Sequence, residues 1–202
     1  MKLYYSPGAC SLSPHIALRE ANLPFELVKV DRAKKLPDGS SFLDKNSKGY
    51  VPCLELDGGE LLTEGPAIVQ FVADKVPEAK LAPESGTLER VRLQEWLNYI
   101  GTEVHKSFTP LFAPNTPDDY KPIARENVLK RLGFADAALA KGPYLLGESF
   151  SVADIYLFVV AGWAKFVEVD ISGLTNLGAF LGRVAQRPAV VEALKAEGLL
   201  KA

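Results

Sequence analysis

The stretch KLYYSPGACSLSPHIALREANLPFELVKVD, residues 2–31, decides the fold. Lys2 to Tyr5 is a short β-prone run, and Ser6-Pro7-Gly8 closes it because proline and glycine forbid its continuation. A helix is expected next. Ser11 or Ser13 can cap it, Pro14 suits a first turn, and Ile16, Ala17 and Leu18 supply an apolar side before Asn22 and Pro24 stop it. Phe25 to Asp31 is again rich in β-formers. Strand, helix and strand make a βαβ unit, whose crossover should be right-handed and whose strands should therefore be parallel. Tyr4 and Tyr5, adjacent on a strand, should face opposite sides of the sheet.

Working outward, Arg32 to Tyr50 carries charge, glycine and little periodicity, which predicts a loop with at most a short irregular helix. Cys53 to Leu56 and Glu60 to Leu62 fit two antiparallel strands joined by Asp57-Gly58-Gly59, whose glycines accept the positive φ of a tight hairpin. Glu64-Gly65-Pro66 opens a helix with Ile68, Phe71 and Val72 on one side. From Val76 to Gly86 the composition is that of a linker. Beyond it everything reads as helix. Leu88, Val91, Trp96, Ile100 and Val104 predict a long helix ending before Pro110, and a second runs from about Pro117 to Ala140. Ser151 with Asp154 three residues on is a capping pattern ahead of the apolar run Ile155 to Ala161, expected to be the buried centre of this part. A last helical stretch follows Gly173, interrupted by Pro188. The expected domains are residues 1–80, small and α/β, and residues 87–202, all-helical.

With 23 Lys and Arg against 25 Asp and Glu, the net charge of −2 gives no field to hold nucleic acid or an anionic membrane. No apolar run of about 18 residues suggests a membrane span, and the first residues lack the apolar core of a signal peptide, so a cytoplasmic protein is expected. Two cysteines, Cys10 and Cys53, and two histidines, His15 and His105, are too few for a disulfide framework or a zinc site; no metal is expected.

Cys10 stands at the start of a helix, where the dipole and free N–H groups stabilise a thiolate. Cys10-Ser11-Leu12-Ser13 holds no second cysteine, so any disulfide formed there is with an outside thiol. The plain alternative is a small packed residue. Val51-Pro52 precedes a strand; a cis bond there would turn the Val51 backbone groups outward to pair with an extended peptide, although about one X-Pro bond in twenty is cis and the ordinary expectation is trans. Glu64-Gly65-Pro66 joins an acid to a helix N-terminus, which suits an amino acid zwitterion, its carboxylate on the Gly65 N–H and its ammonium on Glu64. Lys34 and Lys35 can pair with a second carboxylate, although loop charges are usually just solvated. His105, with Asn98 and Glu103 one or two turns away, is a candidate polar member of a site.

Taken together, this order of motifs resembles the glutathione transferases over essentially the whole chain. It is most similar to the bacterial beta class, through MKLYYSPGACSLSPHIALRE, TEGPAI, EWLNYIGTEVHKSFTPLF and FSVADIYLF. The resemblance implies a thioredoxin-like first domain, a helical second domain and a homodimer. It implies glutathione as co-substrate, with Cys10 beside its sulfur, Lys35 near its glycine carboxylate and Val51 as backbone partner. Glu64 and Gly65 then hold the γ-glutamyl end, and Asn98, Thr102, Glu103, Val104 and His105 add contacts, some across the dimer. Ser11 and His105 are implied as helpers of Cys10 in catalysis. Many relatives have Ser where Gly65 stands, and Ser47 and Tyr50 depart from the common Asn-Pro-Lys-Gly-Gln-Val-Pro loop.

The activity expected is attack of an activated glutathione thiol on an electrophilic small molecule, in the manner of a detoxification enzyme. Two alternatives stay open: a glutathione-dependent disulfide reductase or thioltransferase in which Cys10 itself forms a mixed disulfide, and a non-catalytic binding protein of the same fold.

Overall fold

A computed structural model describes residues 1–200 of the chain. The chain divides into two compact units, one made of Met1–Ala82 and the segment from Arg187 onward, the other of Pro83–Gln186.

The first unit is built on a four-stranded sheet of order β2-β1-β3-β4, from β1 (Lys2–Tyr5), β2 (Glu26–Lys29), β3 (Cys53–Glu55) and β4 (Leu61–Thr63). Strands β1 and β2 pair in parallel, and β3 pairs antiparallel with both β1 and β4. The connection is helix α1 (Leu12–Glu20), and α2 (Gly65–Lys75) follows the hairpin and packs on α1. The tyrosines alternate as the pleat requires. Tyr5 lies 6.4 Å from the His15 ring of α1, whereas Tyr4 lies 5.6 Å from Phe42. Phe42 belongs to a single 3-10 turn, Phe42–Asp44, in the otherwise irregular loop, and with Leu36 it buries Tyr4, Val30 and Cys53 on that face.

The end of the chain departs from the expected division into residues 1–80 and 87–202. The final helix, α8 (Pro188–Ala196), expected within residues 87–202, packs on α1 in the first unit. Val190 and Ala193 are buried beneath it, and the Arg187 guanidinium grips both carboxylate oxygens of Glu20 at 2.6 and 2.8 Å. Helical periodicity gives α8 an apolar face but not the identity of the surface that covers it.

The second unit contains α3 (Leu88–Tyr99), a π-helical turn Ile100–His105, α4 (Thr109–Phe112), α5 (Lys121–Leu139), α6 (Val152–Ala161), a 3-10 turn Gly162–Phe166 and α7 (Thr175–Ala185). All of α6 except Phe158 is buried. Asp154 caps it through bonds from the Ser151 N–H and Oγ, both 2.8 Å, and also accepts the Leu145 N–H at 2.8 Å. The apolar side of α3 differs from the expected one. Leu93, Leu97, Ile100 and Val104 are buried, at strict three- and four-residue spacing, while Leu88 and Val91 are exposed. Pro110 does not follow the helix but lies in the first turn of α4, where its missing N–H costs nothing. No helix among the described residues is long and apolar enough to cross a membrane.

Candidate functional site

In the first unit the chain leaves β1 through Ser6-Pro7-Gly8-Ala9 and enters α1 two residues after Cys10. Gly8 takes φ +72°, a conformation that favours glycine, and the Ala9 N–H closes the turn on the Ser6 carbonyl at 3.1 Å. Ser11 is buried and its hydroxyl clamps this turn, accepting from the Ser6 N–H at 3.1 Å and donating to the Ser6 carbonyl at 3.2 Å. It therefore faces Ser6 and does not cap the helix. Cys10 is half-buried, and its thiol donates to the Val51 carbonyl at 3.3 Å.

The Val51-Pro52 bond is cis, against the ordinary expectation for an X-Pro bond. The Val51 N–H makes no hydrogen bond among the described residues. At the start of α2 the Glu64 carbonyl already serves the Ala67 and Ile68 N–H groups, and the Gly65 N–H has no partner among the described residues. An unpaired donor at the positive end of a helix is the arrangement that receives a carboxylate. Glu64 holds φ +69°, and its exposed carboxylate accepts from Lys48 Nζ at 2.7 Å. Lys48 also reaches Thr63 Oγ1 at 3.1 Å. Sequence reading does not single out Lys48, because only the folded loop brings it to Glu64. Lys35 is exposed and forms an isolated antiparallel β-bridge with Ser41, its N–H on Asp31 Oδ1 at 2.7 Å, and Lys34 before it takes φ +61°.

Ser13, expected as a candidate cap of the first helix, instead lies inside α1 and caps nothing. Its hydroxyl is the one buried side-chain polar atom without a hydrogen-bond partner among the described residues. A Cβ added to Gly65 would lie 3.9 Å from it and 3.8 Å from Pro52 Cγ. The side chain absent at Gly65 and the orphan hydroxyl at Ser13 thus adjoin one another.

In the second unit, Thr102, Glu103, Val104 and His105 all fall in the π-helical turn, and Asn98 lies on the exposed last turn of α3. A π turn inserts an extra residue, so the spacing of an ideal α-helix cannot be used to phase these side chains. Thr102 Oγ1 donates to the Asn98 carbonyl at 3.0 Å, and Glu103 pairs with Arg131 at 3.0 Å. Thr102, Glu103, Lys106, Tyr120 and Arg131 line a cavity of about 240 Å³. Val104 is fully buried, and its carbonyl accepts from Ser107 Oγ at 2.6 Å, so it contributes to the core. His105 lies in a separate aromatic cluster. Its Nδ1 pairs with the Tyr156 hydroxyl at 2.6 Å and its ring is 4.8 Å from Trp163, which in turn packs on Phe108 and half-exposed Phe112. Burial, with Lys106 adding to it, pushes the imidazole down to about 4, so the ring is neutral near pH 7. Among the described residues, no group of three or more His, Cys, Asp or Glu side chains is arranged to hold a metal ion.

Comparison with known proteins agrees in both units. Residues 8–75 match the family model of the glutathione S-transferase N-terminal domain, and residues 99–188 match that of the C-terminal domain. The chain belongs to the glutathione S-transferase family. It is 50% identical to the glutathione S-transferase GstA of Escherichia coli O157:H7 over 98% of this chain and 100% of that protein. Among solved structures, a ternary complex of BphK, a bacterial glutathione S-transferase, is 60% identical with a TM-score of 0.96, covering 98% of this chain and 100% of BphK. The bacterial beta class glutathione S-transferase of Sphingomonas chungbukensis is 54% identical with a TM-score of 0.96, over 99% of this chain and all of that one. These likenesses place the chain with the beta class. Membership makes it a transferase with glutathione as co-substrate, and the names of the relatives give no support to the reductase or the non-catalytic alternative.

Proposed function

We propose that this glutathione transferase holds the tripeptide along the first unit, with its sulfur over the α1 N-terminus, and lowers the pKa of that thiol. The observation that carries the reading is the set of unused donors around Cys10. The Val51 N–H and the Gly65 N–H lack partners among the described residues, and the Cys10 thiol already donates to the Val51 carbonyl. In this reading Val51 pairs with the peptide backbone, the Gly65 N–H takes the γ-glutamyl carboxylate and Glu64 takes its ammonium in place of Lys48. Lys35 meets the glycine carboxylate. Asn98, Thr102, Glu103 and His105 add polar contacts, some from the partner in a homodimer; exposed Leu88 and Val91 support an apolar interface. Ser11 acts on the Cys10 turn through Ser6, and Val104 acts only through packing.

The chemistry is proton loss followed by substitution or addition. Glutathione S–H gives its proton to solvent, the thiolate forms an S–C bond to the electrophilic carbon, and a leaving group, where there is one, departs with its electron pair. A free thiol near pKa 8.5 is only a few per cent ionised near pH 7, so lowering it by about two units raises the reactive fraction more than tenfold. The activity is in keeping with a cytoplasmic detoxification role. Ultraviolet titration of the thiolate of bound glutathione tests the reading, with a thiol pKa well below that of the free tripeptide expected. A bound thiol titrating as in free solution would overturn it. In a conjugation assay with an aryl halide, Cys10→Ala is expected to retain activity, which separates this chemistry from a mixed-disulfide mechanism.

A further inference from the structure

The loop that leads into Val51 carries a lysine whose ammonium already occupies the acid at the start of α2. Lys48 Nζ lies 2.7 Å from Glu64 Oε1 and donates to Thr63 Oγ1 at 3.1 Å. The loop itself sets this reach. Asn46 is buried, accepts the Lys48 N–H on its Oδ1 at 3.2 Å and donates from Nδ2 to the Tyr50 carbonyl at 2.8 Å, while its own carbonyl takes the Gly49 N–H at 2.8 Å. Gly49 turns at φ +67°, a conformation that favours glycine. Glu64 holds φ +69°, which a residue with a side chain rarely adopts, so its place is imposed by its surroundings and not by local preference. The two side chains are 52% and 68% exposed, which makes the pair worth little to stability and easily exchanged. A cation held loosely on an acid is the arrangement that a second cation can replace.

We infer that Lys48 is an internal stand-in for the ammonium of the ligand: it occupies Glu64 in the free enzyme, yields it when the γ-glutamyl end arrives, and returns to it as the thioether product leaves. The inference rests on the proposed function in one respect, namely that the γ-glutamyl ammonium goes to Glu64. Two ammonium groups on one carboxylate repel each other even in water, so binding exchanges one ion pair for another. The ligand ammonium therefore contributes less affinity than a carboxylate with no cation on it would give. The product keeps the same γ-glutamyl end, so the same exchange speeds its release. Lys48 is thus a specificity-determining residue, which sets how strongly the site prefers a ligand with an α-ammonium over one without.

Lys48→Met is the informative change, since it keeps the length of the side chain and removes the charge. Titration calorimetry on the full-length protein compares three ligands: glutathione, S-methylglutathione as a stable thioether, and the tripeptide that lacks only the α-amino group. Lys48→Met is expected to bind glutathione and S-methylglutathione about twofold to fivefold more tightly, the range that an exposed ion pair allows. Dissociation of S-methylglutathione should slow by a similar factor. The deaminated tripeptide should gain nothing, because its arrival never displaces Lys48. Lys48→Arg, which keeps a cation on Glu64, should behave as the unaltered protein. Lys45→Met removes a charge from the same loop, where the partner is Glu55, and should tighten none of the three ligands. Equal tightening of all three ligands in Lys48→Met would overturn the inference, as would weaker binding of glutathione, which would make Lys48 a support of the ligand. Should Lys48→Met show no preference for glutathione over the deaminated tripeptide, Glu64 does not take the ammonium, and the proposed function fails at that contact. A preference of the same size in Lys48→Met and the unaltered protein refutes the role of Lys48 alone.

Discussion

Replacing Gly65 by Ser tests the reading of the α2 N-terminus most directly. The position has no positive φ, and a Cβ there meets only Pro52 Cγ at 3.8 Å and Ser13 Oγ at 3.9 Å, both ordinary contacts, so a side chain enters without strain. A hydroxyl on that Cβ can reach Ser13 Oγ, which now has no partner. Leaving a buried polar group unpaired costs about 1–3 kcal/mol, and a new bond between hydroxyls recovers about 1 kcal/mol of it. Loss of glycine flexibility in the unfolded chain contributes a further 0.4–1 kcal/mol or so. Gly65→Ala separates the two, since it supplies the second effect without the hydroxyl. Thermal unfolding followed by circular dichroism should rank Ser above Ala above Gly, with Ser exceeding Ala by about 2–4 °C for a chain of this size. Equal midpoints for Ser and Ala would show that the hydroxyls do not pair, and the account of Ser13 as an orphan facing an empty position would be wrong.

Cys53 is fully buried, and burial together with the Glu55 carboxylate pushes its thiol up to about 11. Iodoacetamide should therefore label Cys10 in the native protein at least about a hundredfold faster than Cys53, read by peptide mass spectrometry, and both should label after denaturation; similar native rates would refute this burial account. His105 gives a pH dependence of stability. Its imidazole is held at about 4 when folded and returns to about 6.5 when unfolded, so between these values the unfolded chain binds more protons and stability falls with pH. Allowing for partial screening of the ring, about 2 kcal/mol should be lost between pH 7 and pH 4.5 in urea unfolding, and His105→Gln should lose correspondingly less over the same range. An equal loss in both proteins would show that the buried ring is not responsible.

Local chemistry alone makes residues 2–31 a βαβ unit, because a β-prone run, a Pro-Gly break and a capped apolar helix admit few other readings. The hairpin around Gly58-Gly59, the helix after Pro66 and the capping pattern of Ser151 and Asp154 were legible for the same reason: each depends on residues within a few positions of one another. Cys10 was legible as a thiol at a helix start. What pairs with it was not, since the Cys10 contact to Val51 spans 41 residues and that of Gly8 to Glu197 spans 189. The same holds for Lys48 at Glu64, for Trp163 at His105 and for the return of α8 onto α1. The π turn at Ile100–His105 shows the remaining gap. A single inserted residue re-aims every side chain after it, yet the pattern of apolar residues barely registers it. Sequence by itself thus determined the elements and the types of chemistry available, through short-range propensity and charge. Only tertiary packing decided which donors stay unpaired and which buried charges meet, because those depend on distances through space that the order of residues does not encode.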